Sequence, residues 1–361
     1  MADQFLPNIF GAYDTRDNLD LSIEDYTEER AAADIEQFRR EFNAVADDTT
    51  NLLSVATTNA KASFGTTAGG EMQPYTEKGD TEATRGGEEY DISFPISRFR
   101  DRQIYTEEFI ATNALARLND DVGMSAVRNA TTRIKGVLRA VMLKTNYTFR
   151  DADFPGLGLG NLAVKRLFNN DGATGSVYVD GVSVDIGTLQ HYITSGGASV
   201  VIDDFGTAKD KLKAVGYGDD VVYLMGKGLG DDVADLTEFV GLPEAGIVDP
   251  TAVFAVVRSP RAIGRLRGGG ADGEVWVMPY FPDNYFLAID RAAPKPVRRR
   301  QHPDARFRGW RLVQNETLAP YGAAAIRNKR WEFIEGYGVG DRGNGVCVQI
   351  SANATYTDPT I

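Results

Sequence analysis

The chain has 361 residues, of which 42% are hydrophobic and 25% are charged. This composition is typical of a globular protein and excludes collagen-like and low-complexity sequences. Acidic residues number 51 against 39 basic ones, so the formal charge is −12. That balance argues against a protein that coats nucleic acid with its whole surface. The length predicts two or three domains, or one elongated unit with extensions.

The residues that are scarce also restrict the function. Cys347 is the sole cysteine, so neither an intrachain disulfide nor a multi-cysteine metal site is possible. The two histidines, His191 and His302, lie far apart in sequence among polar neighbours, which disfavours zinc sites and hydrolase triads. We expect no catalytic, cofactor-binding or metal-binding residues. No signal sequence and no apolar run of membrane-spanning length is present, so a cytosolic chain without membrane contact is expected.

The N-terminal region predicts an arm followed by a helix. Residues 1–21 show no sustained periodicity and indicate an extended arm. Ser22, with Asp25 three residues later, predicts the start of a helix through a capping box. Apolar residues then recur at three- and four-residue spacing, which predicts an amphipathic helix. These residues are Ile35, Phe38, Phe42 and Val45.

Residues 63–104 predict a long hairpin. Residues 63–87 are polar and rich in glycine, whereas residues 89–104 alternate apolar and polar side chains as a strand does. Two strand-like flanks around a polar tip describe a protruding hairpin. Because an isolated hairpin is only marginally stable in water, a neighbouring subunit is expected to supply the surface on which it lies.

Residues 106–149 form the most helical region. Phe109, Leu115 and Leu118 predict a short helix that ends near Asn119. A second apolar stripe then predicts a helix of about 25 residues, roughly 37 Å long, over residues 121–147. Its members are Val127, Ala130, Ile134, Val137 and Val141. This length suits a structural spine.

The rest of the chain alternates strands with short helices. The Asp180-Gly181 dipeptide predicts a hairpin turn. Helices are predicted over residues 188–193, 207–214 and 231–239, and strands over residues 221–225, 252–257, 275–277 and 285–289. Gly268, Gly269 and Gly270 predict an exposed loop. Further strands are predicted over residues 323–326, 331–335 and 346–350, with Cys347 as a small core residue.

None of the short motifs supports nucleotide binding or catalysis. The glycines at 156, 158 and 160 lack the spacing of a dinucleotide fingerprint, and Gly226-Lys227 lacks the first glycine and the hydroxyl residue of a phosphate loop. Adjacent acids such as Asp203-Asp204 point to opposite faces of a strand and do not form a metal site by adjacency alone.

Arg298, Arg299 and Arg300, followed by Arg306, Arg308 and Arg311, form one basic concentration. Contact with phosphates is one interpretation. The other is a strip of inter-subunit ion pairs that faces the acidic hairpin or the N-terminal helix, and the overall charge of −12 favours it. Trp310 within the strip is interpreted as a packing residue.

The order of these parts resembles that of the major capsid proteins of tailed bacteriophages with the HK97 fold. That α+β fold has an N-terminal arm, an extended hairpin loop, a long spine helix with a β-sheet peripheral domain, and an inserted α/β axial domain. The counterparts are residues 1–60, residues 61–105, residues 106–150 with 296–361, and residues 151–295. Residues 275–290 resemble the strand–turn–strand that leaves the axial domain, and residues 331–339 the closing strand.

The resemblance implies a structural protein and not an enzyme. Copies would assemble as hexamers and pentamers into an icosahedral shell around double-stranded DNA, without sequence-specific binding. Assembly would take place in the bacterial cytoplasm, and the product would be the virion. Either a separate scaffolding protein or an already processed form of the chain is expected, together with a portal and, in some members, decoration proteins. No cofactor is implied.

The resemblance also suggests which residues meet between subunits. These are Lys78, Glu88, Glu89, Arg98, Arg100, Arg102, Arg298, Arg299 and Arg300, with Gly268, Gly269 and Gly270 at the capsomer axis. Some members crosslink a lysine to an asparagine, for which Lys61 or Lys78 and Asn328 or Asn344 are the candidates here. Three alternatives stay open: an encapsulin-like compartment, a cytosolic α/β enzyme and a phage tail or adhesin subunit.

Overall fold

The computed structural model describes residues 28–47, 50–65, 89–113, 115–150, 160–179, 182–242, 260–313 and 328–361. The predictions for the N-terminal arm, for the helix start at Ser22, for the tip of the hairpin and for strands over residues 252–257 and 323–326 lie outside these residues.

The described residues form five α-helices and eighteen strands. The helices are α1 (Glu28–Ala46), α2 (Glu107–Thr112), α3 (Leu115–Met142), α4 (Ile202–Lys213) and α5 (Lys227–Ala234). The first nine strands are β1 (Ser54–Thr57), β2 (Lys61–Gly65), β3 (Glu89–Ser93), β4 (Ser97–Ile104), β5 (Tyr147–Arg150), β6 (Asn161–Val164), β7 (Ser176–Val179), β8 (Val182–Asp185) and β9 (Tyr192–Thr194). The others are β10 (Val221–Met225), β11 (Phe239–Gly241), β12 (Arg261–Leu266), β13 (Gly273–Val277), β14 (Tyr285–Asp290), β15 (Val297–Gln301), β16 (Arg311–Val313), β17 (Asn328–Val339) and β18 (Val346–Gln349).

The spine helix α3 begins six residues before the predicted start at residue 121 and ends five residues before the predicted end at residue 147. It spans 28 residues, about 42 Å at 1.5 Å per residue. Leu115 and Leu118 belong to this helix and not to a separate one, and the predicted break near Asn119 does not exist. The reason is that Leu115, Leu118 and Val122 continue one buried stripe at three- and four-residue spacing, so packing outweighs the low helix propensity of Asn119.

A five-stranded sheet packs against α3. The long strand β17 pairs with β15 and β16 on one side and with β4 on the other, and β1 adds to β15 in parallel. Helix α1 lies beside the N-terminal half of α3, where Phe38 and Phe42 contact Trp310. This arrangement confirms the amphipathic N-terminal helix and the packing role of Trp310.

The hairpin is shorter in sequence than predicted. Strands β2 and β3 pair from Lys61 opposite Ser93 to Gly65 opposite Glu89. The predicted single strand over residues 89–104 breaks at Pro95, and β4 then enters the five-stranded sheet. Proline has no N–H for a ladder, which explains the break. The hairpin of residues 61–105 is therefore corrected to one whose stem ends at Ser93.

The second sheet has seven strands in the order β11-β12-β13-β10-β14-β18-β9. Helices α4 and α5 pack on one face, and the C-terminal half of α3 packs on the other. Strand β18 was expected in the peripheral domain but lies here, beside β14. Its Val346, Cys347 and Val348 are fully buried between the two layers, which confirms Cys347 as a core residue.

Other predictions for this region are partly right. Strands over residues 221–225, 275–277 and 285–289 and the hairpin around residues 180–181 are confirmed. The prediction of a helix over residues 188–193 is wrong, because a 3-10 turn at Ile186–Thr188 is followed by strand β9. The helix over residues 231–239 is shifted to Lys227–Ala234, and β12 was missed. His191, expected among polar groups, is fully buried against Phe168.

Candidate assembly surfaces

One face of the five-stranded sheet is rich in arginine. Arg98, Arg100 and Arg102 alternate along β4 and are exposed. Arg102 lies opposite Arg330, and Arg100 lies opposite Glu332, which in turn lies opposite Arg311 of β16. Residues that are directly opposite in antiparallel strands share a face. This arginine face therefore carries five arginines and one glutamate in a chain whose formal charge is −12.

Glu332 lies at the centre of the arginine face. Its side chain is 2% exposed, and its Oε1 is 2.8 Å from Nε of Arg100 and 3.9 Å from Nε of Arg98. Arg311 pairs with its other oxygen. Burial opposes ionisation, but the hydrogen bond from Arg100 and the three positive charges outweigh it and lower the pKa of Glu332. Glu332 therefore joins β4 and β16 to β17 through charge-assisted contacts on both of its oxygens.

The structure corrects the interpretation of the second basic cluster. Arg299 and Arg300 are 3% and 1% exposed. Arg299 pairs with Asp47, which follows α1 in the same chain, and Nη1 of Arg300 donates to the carbonyl oxygen of Phe94 at 2.9 Å. These two side chains therefore act inside the subunit and not at an inter-subunit surface. Arg298 is half-buried, and its inter-subunit role stays a prediction.

Arg299 belongs to a buried charge cluster that the sequence did not reveal. Arg133 of α3 lies 2.8 Å from Asp47 and 3.3 Å from Glu335 of β17. The hydroxyl of Tyr337 donates to Glu335 at 2.9 Å. Burial raises the pKa of Asp47, but Arg299 and Arg133 outweigh it and the net pKa is lowered. The cluster joins the end of α1 to α3 and to two strands of the sheet.

The glycine loop connects β12 to β13. Gly268, Gly269 and Gly270 are exposed and have φ angles of 93°, 60° and 76°. Side chains other than glycine rarely adopt three such angles in succession, which explains the triplet. The predicted exposure is confirmed, and the assignment to the capsomer axis stays a prediction.

The structure describes some of the other predicted contact and crosslink residues but not all of them. Lys78 and Glu88 lie outside the described residues, and Glu89 is described only as backbone in β3. Lys61 is exposed in β2. Asn344 is 1% exposed, and its amide donates to the carbonyl oxygens of Asp290 and Pro294 at 2.8 Å. Asn344 is therefore excluded as a crosslink partner.

A groove lies between α3 and the sheet, with a volume of about 330 Å³. Trp310 stacks on Trp331 at 4.1 Å between ring centroids, and Phe99 stacks on Phe333 at 4.7 Å. The residues that line the groove are Phe99, Arg100, Asp101, Ser125, Arg128, Asn129, Thr132, Trp310, Trp331 and Phe333. No sequence pattern indicates this groove, because its shape depends on how α3 crosses the sheet.

No three His, Cys, Asp or Glu side chains lie together as metal ligands in the part of the chain that the structure covers. Among the helices of that part, none is long and apolar enough to cross a bilayer.

Comparison with known proteins gives similarity in structure alone. No model of a protein family matches the sequence, and no curated protein does. A solved structure from Mycobacterium phage Patience superposes with a TM-score of 0.62 at 17% identity, covering 91% of each chain. The capsid of a native GTA particle covers 86% of this chain and 90% of its own, with 12% identity and a TM-score of 0.48. The capsid of cyanophage P-SCSP1u covers 83% and 85%, with 10% identity and a TM-score of 0.46.

The similarity to the Patience structure extends over nearly the whole of both chains. The described elements also occur in the order that the resemblance implied: helix, hairpin stem, spine helix with a sheet, and an inserted α/β unit. The chain therefore has the α+β fold of the HK97-type phage capsid proteins.

Proposed function

We propose that the chain is the major capsid protein of a tailed bacteriophage and that it assembles as hexamers and pentamers into an icosahedral shell around double-stranded DNA. The observation that carries this proposal is the fold likeness to the Mycobacterium phage Patience structure over 91% of each chain. The role is structural, so no substrate is turned over.

Features of the subunit support an assembly role. The stem β2–β3 is a separate two-stranded unit, and such a unit is marginally stable without further packing. Beyond it, residues 66–88 contain five acids against two bases. The arginine face has the opposite charge. Contact between the hairpin of one copy and Arg98, Arg100 and Arg102 of another joins complementary charges.

Charge reversal of the arginine face tests the proposal. Arg98→Glu combined with Arg102→Glu should leave the circular dichroism spectrum of the subunit unchanged and abolish particle formation. The matched control is Arg306→Glu with Arg308→Glu, a reversal of equal charge at exposed residues outside β4. Light scattering and electron microscopy of the unmodified protein should show particles of megadalton mass; a stable dimer would contradict the proposal.

The proposal also includes the place of assembly and the partner proteins. Assembly takes place in the host cytoplasm with a separate scaffolding protein and a portal, and decoration proteins bind the finished shell. An encapsulin-like compartment is the second candidate, which the likeness to a phage structure does not favour. Purified particles that contain an enzyme cargo and lack DNA would support it.

Removal of residues 66–86 should abolish particles and leave the seven-stranded sheet folded.

A further inference from the structure

The C-terminal end of the spine helix α3 is capped by side chains that lie outside the helix. The last four carbonyl groups of an α-helix have no partner within it. In α3 these groups belong to Arg139, Ala140, Val141 and Met142. Nη1 of Arg166 donates to the first two at 2.9 and 3.0 Å, the hydroxyl of Tyr192 to the third at 2.9 Å, and that of Tyr356 to the fourth at 2.8 Å. All four carbonyl groups are therefore satisfied by distant parts of the chain.

These capping side chains are buried. Arg166, Tyr192 and Tyr356 are 6%, 2% and 4% exposed. Nδ2 of Asn169 adds a bond to the carbonyl oxygen of Lys144, in the turn that follows α3, at 2.6 Å. Breaking these bonds would leave buried polar groups unpaired, which is costly. We name Arg166, Asn169, Tyr192 and Tyr356 the capping cluster.

The capping cluster is attached to the seven-stranded sheet. Tyr192 is part of β9, and Tyr356 follows β18, the strand that pairs with β9. The other two members lie in the segment after β6. There the carbonyl oxygen of Phe168 accepts from the amide of His191, the residue before β9, at 2.8 Å. The cluster therefore joins the end of α3 to one edge of this sheet.

Buried polar contacts also hold the loop that connects the two large sheets. This loop, residues 340–345, runs from β17 to β18 and contains Arg342 and Asn344, each 1% exposed. Nε of Arg342 donates to the carbonyl oxygen of Arg166 at 2.7 Å. Nδ2 of Asn344 donates to the carbonyl oxygen of Pro294, between β14 and β15, at 2.8 Å. The loop and the capping cluster thus form one connected set of bonds.

The direction of α3 determines where the distant end of the subunit lies. Because α3 is about 42 Å long, a tilt of about 5° at the capped end would displace its other end by about 4 Å. The angle between neighbouring subunits decides whether repeated contacts close and how many copies the closed assembly contains. A fixed end of α3 therefore favours one curvature.

We propose that the capping cluster fixes the angle of α3 relative to the seven-stranded sheet and thereby sets the curvature of the assembled shell. This inference rests on the proposed function, because curvature requires copies that assemble. It assigns a role in assembly to side chains that are buried within the subunit.

A distance measurement between two spin labels tests the capping cluster in the unassembled subunit. Arg117→Cys on α3 and Asp210→Cys on α4 place the labels at side chains that are 63% and 73% exposed. Cys347 is fully buried and is not labelled. Double electron–electron resonance should give one narrow distance distribution. Tyr192→Phe, which keeps the ring and removes the hydroxyl, should at least double its width.

Tyr223→Phe is the matched control. Like the hydroxyl of Tyr192, that of Tyr223 is buried and donates to two carbonyl oxygens. Tyr223 lies on the face of the seven-stranded sheet that is covered by α4 and α5 and not by α3. The distance distribution of this variant should equal that of the wild type.

Particle size tests the link to curvature. Electron microscopy of assembled particles should show one diameter for the wild type and for Tyr223→Phe, and several diameters for Tyr192→Phe. Arg166→Met removes three side-chain hydrogen bonds and should widen both distributions further. If Arg166→Met fails to fold, Tyr192→Phe by itself decides the result, because it loses only a hydroxyl group.

The outcomes separate the inference from the proposed function. Distances as narrow in Tyr192→Phe as in the wild type, or equally widened in Tyr223→Phe, would overturn the role of the capping cluster. Widened distances with particles of uniform diameter would overturn the link to curvature. Failure of the unmodified chain to form particles would overturn the proposed function, and the distance distributions of the subunit would still decide whether the cluster fixes α3.

Discussion

Replacement of Glu335 by glutamine tests how the fold holds its buried charges. Glu335 is fully buried beside Arg133 and Arg299, which are 1% and 3% exposed. Its Oε1 lies 3.3 Å from Arg133 and 3.9 Å from Arg299. Glutamine has nearly the same shape, so Glu335→Gln leaves no cavity. It leaves two buried guanidinium groups that share Asp47, whose side chain is 40% exposed.

The expected destabilisation follows from these exposures. Removing one partner from a buried ion pair costs about 3–5 kcal/mol, because the other charge stays buried without compensation. Asp47 still provides one carboxylate, so we expect a loss of unfolding free energy of about 3 kcal/mol, at the lower end of that range. Glu274→Gln is the matched control: Glu274 pairs with Arg291 at 2.9 Å, but their side chains are 31% and 32% exposed. Such a surface pair contributes about 1 kcal/mol or less.

Urea unfolding of the unassembled subunit, followed by tryptophan fluorescence, measures the difference. Trp310 and Trp331 stack between α1 and the sheet, so their emission reports on this region. With a slope of about 3 kcal/mol per molar urea, Glu335→Gln should lower the midpoint by about 1 M. If the two variants unfold within about 0.3 M of each other, the cluster does not stabilise the fold as argued.

Further predictions concern single residues. Burial, with smaller contributions from Lys211 and Arg342, lowers the pKa of His191 to about 4. The unfolded chain therefore binds a proton near pH 6.5 that the folded chain does not, and stability should fall by about 3 kcal/mol between pH 6.5 and 4 in urea titrations. The variant His191→Gln should lose this dependence, and an unchanged pH profile would contradict the assignment. A Cβ at Gly336 would lie 1.8 Å from the carbonyl oxygen of Pro95, so Gly336→Ala should lower the free energy of unfolding by about 1–3 kcal/mol or more. Gly241→Ala, where the nearest atom is 3.7 Å away, should change it by less than about 1 kcal/mol. Equal stability of the two glycine variants would show that the backbone at Pro95 shifts to accommodate the added methyl group.

The elements that the sequence predicted well are those with a strong local signal. The stripes of α1 and α3 and the period-two pattern of β4 follow from spacings that one element must present to one core. Boundaries were less accurate. The start of α3 depended on whether Leu115 joins the stripe of Val122, and the end of the hairpin depended on Pro95. Both are decided by the packing partner and not by local propensity.

Among the predicted contact residues, only the arginines of β4 could be assigned to one exposed face from the sequence. Arg98, Arg100 and Arg102 alternate, and alternation fixes a common face of a strand. Arg299 and Arg300 could not be told from surface residues in the same way, because their partners, Asp47 and Phe94, lie more than 200 residues away in the chain. Adjacent basic residues carry no information about such distant partners.

The sequence by itself determined the acidic charge of the chain, the scarcity of cysteine and histidine, the spine helix and the order of the described elements. These depend on residue type and short-range periodicity, which one sequence contains. Only the tertiary structure decided that β18 belongs to the seven-stranded sheet, that Arg299 is buried with Glu335, and that a groove lies beneath α3. Each of these depends on contacts between residues distant in the chain, whose geometry is fixed by the simultaneous packing of helices and sheets.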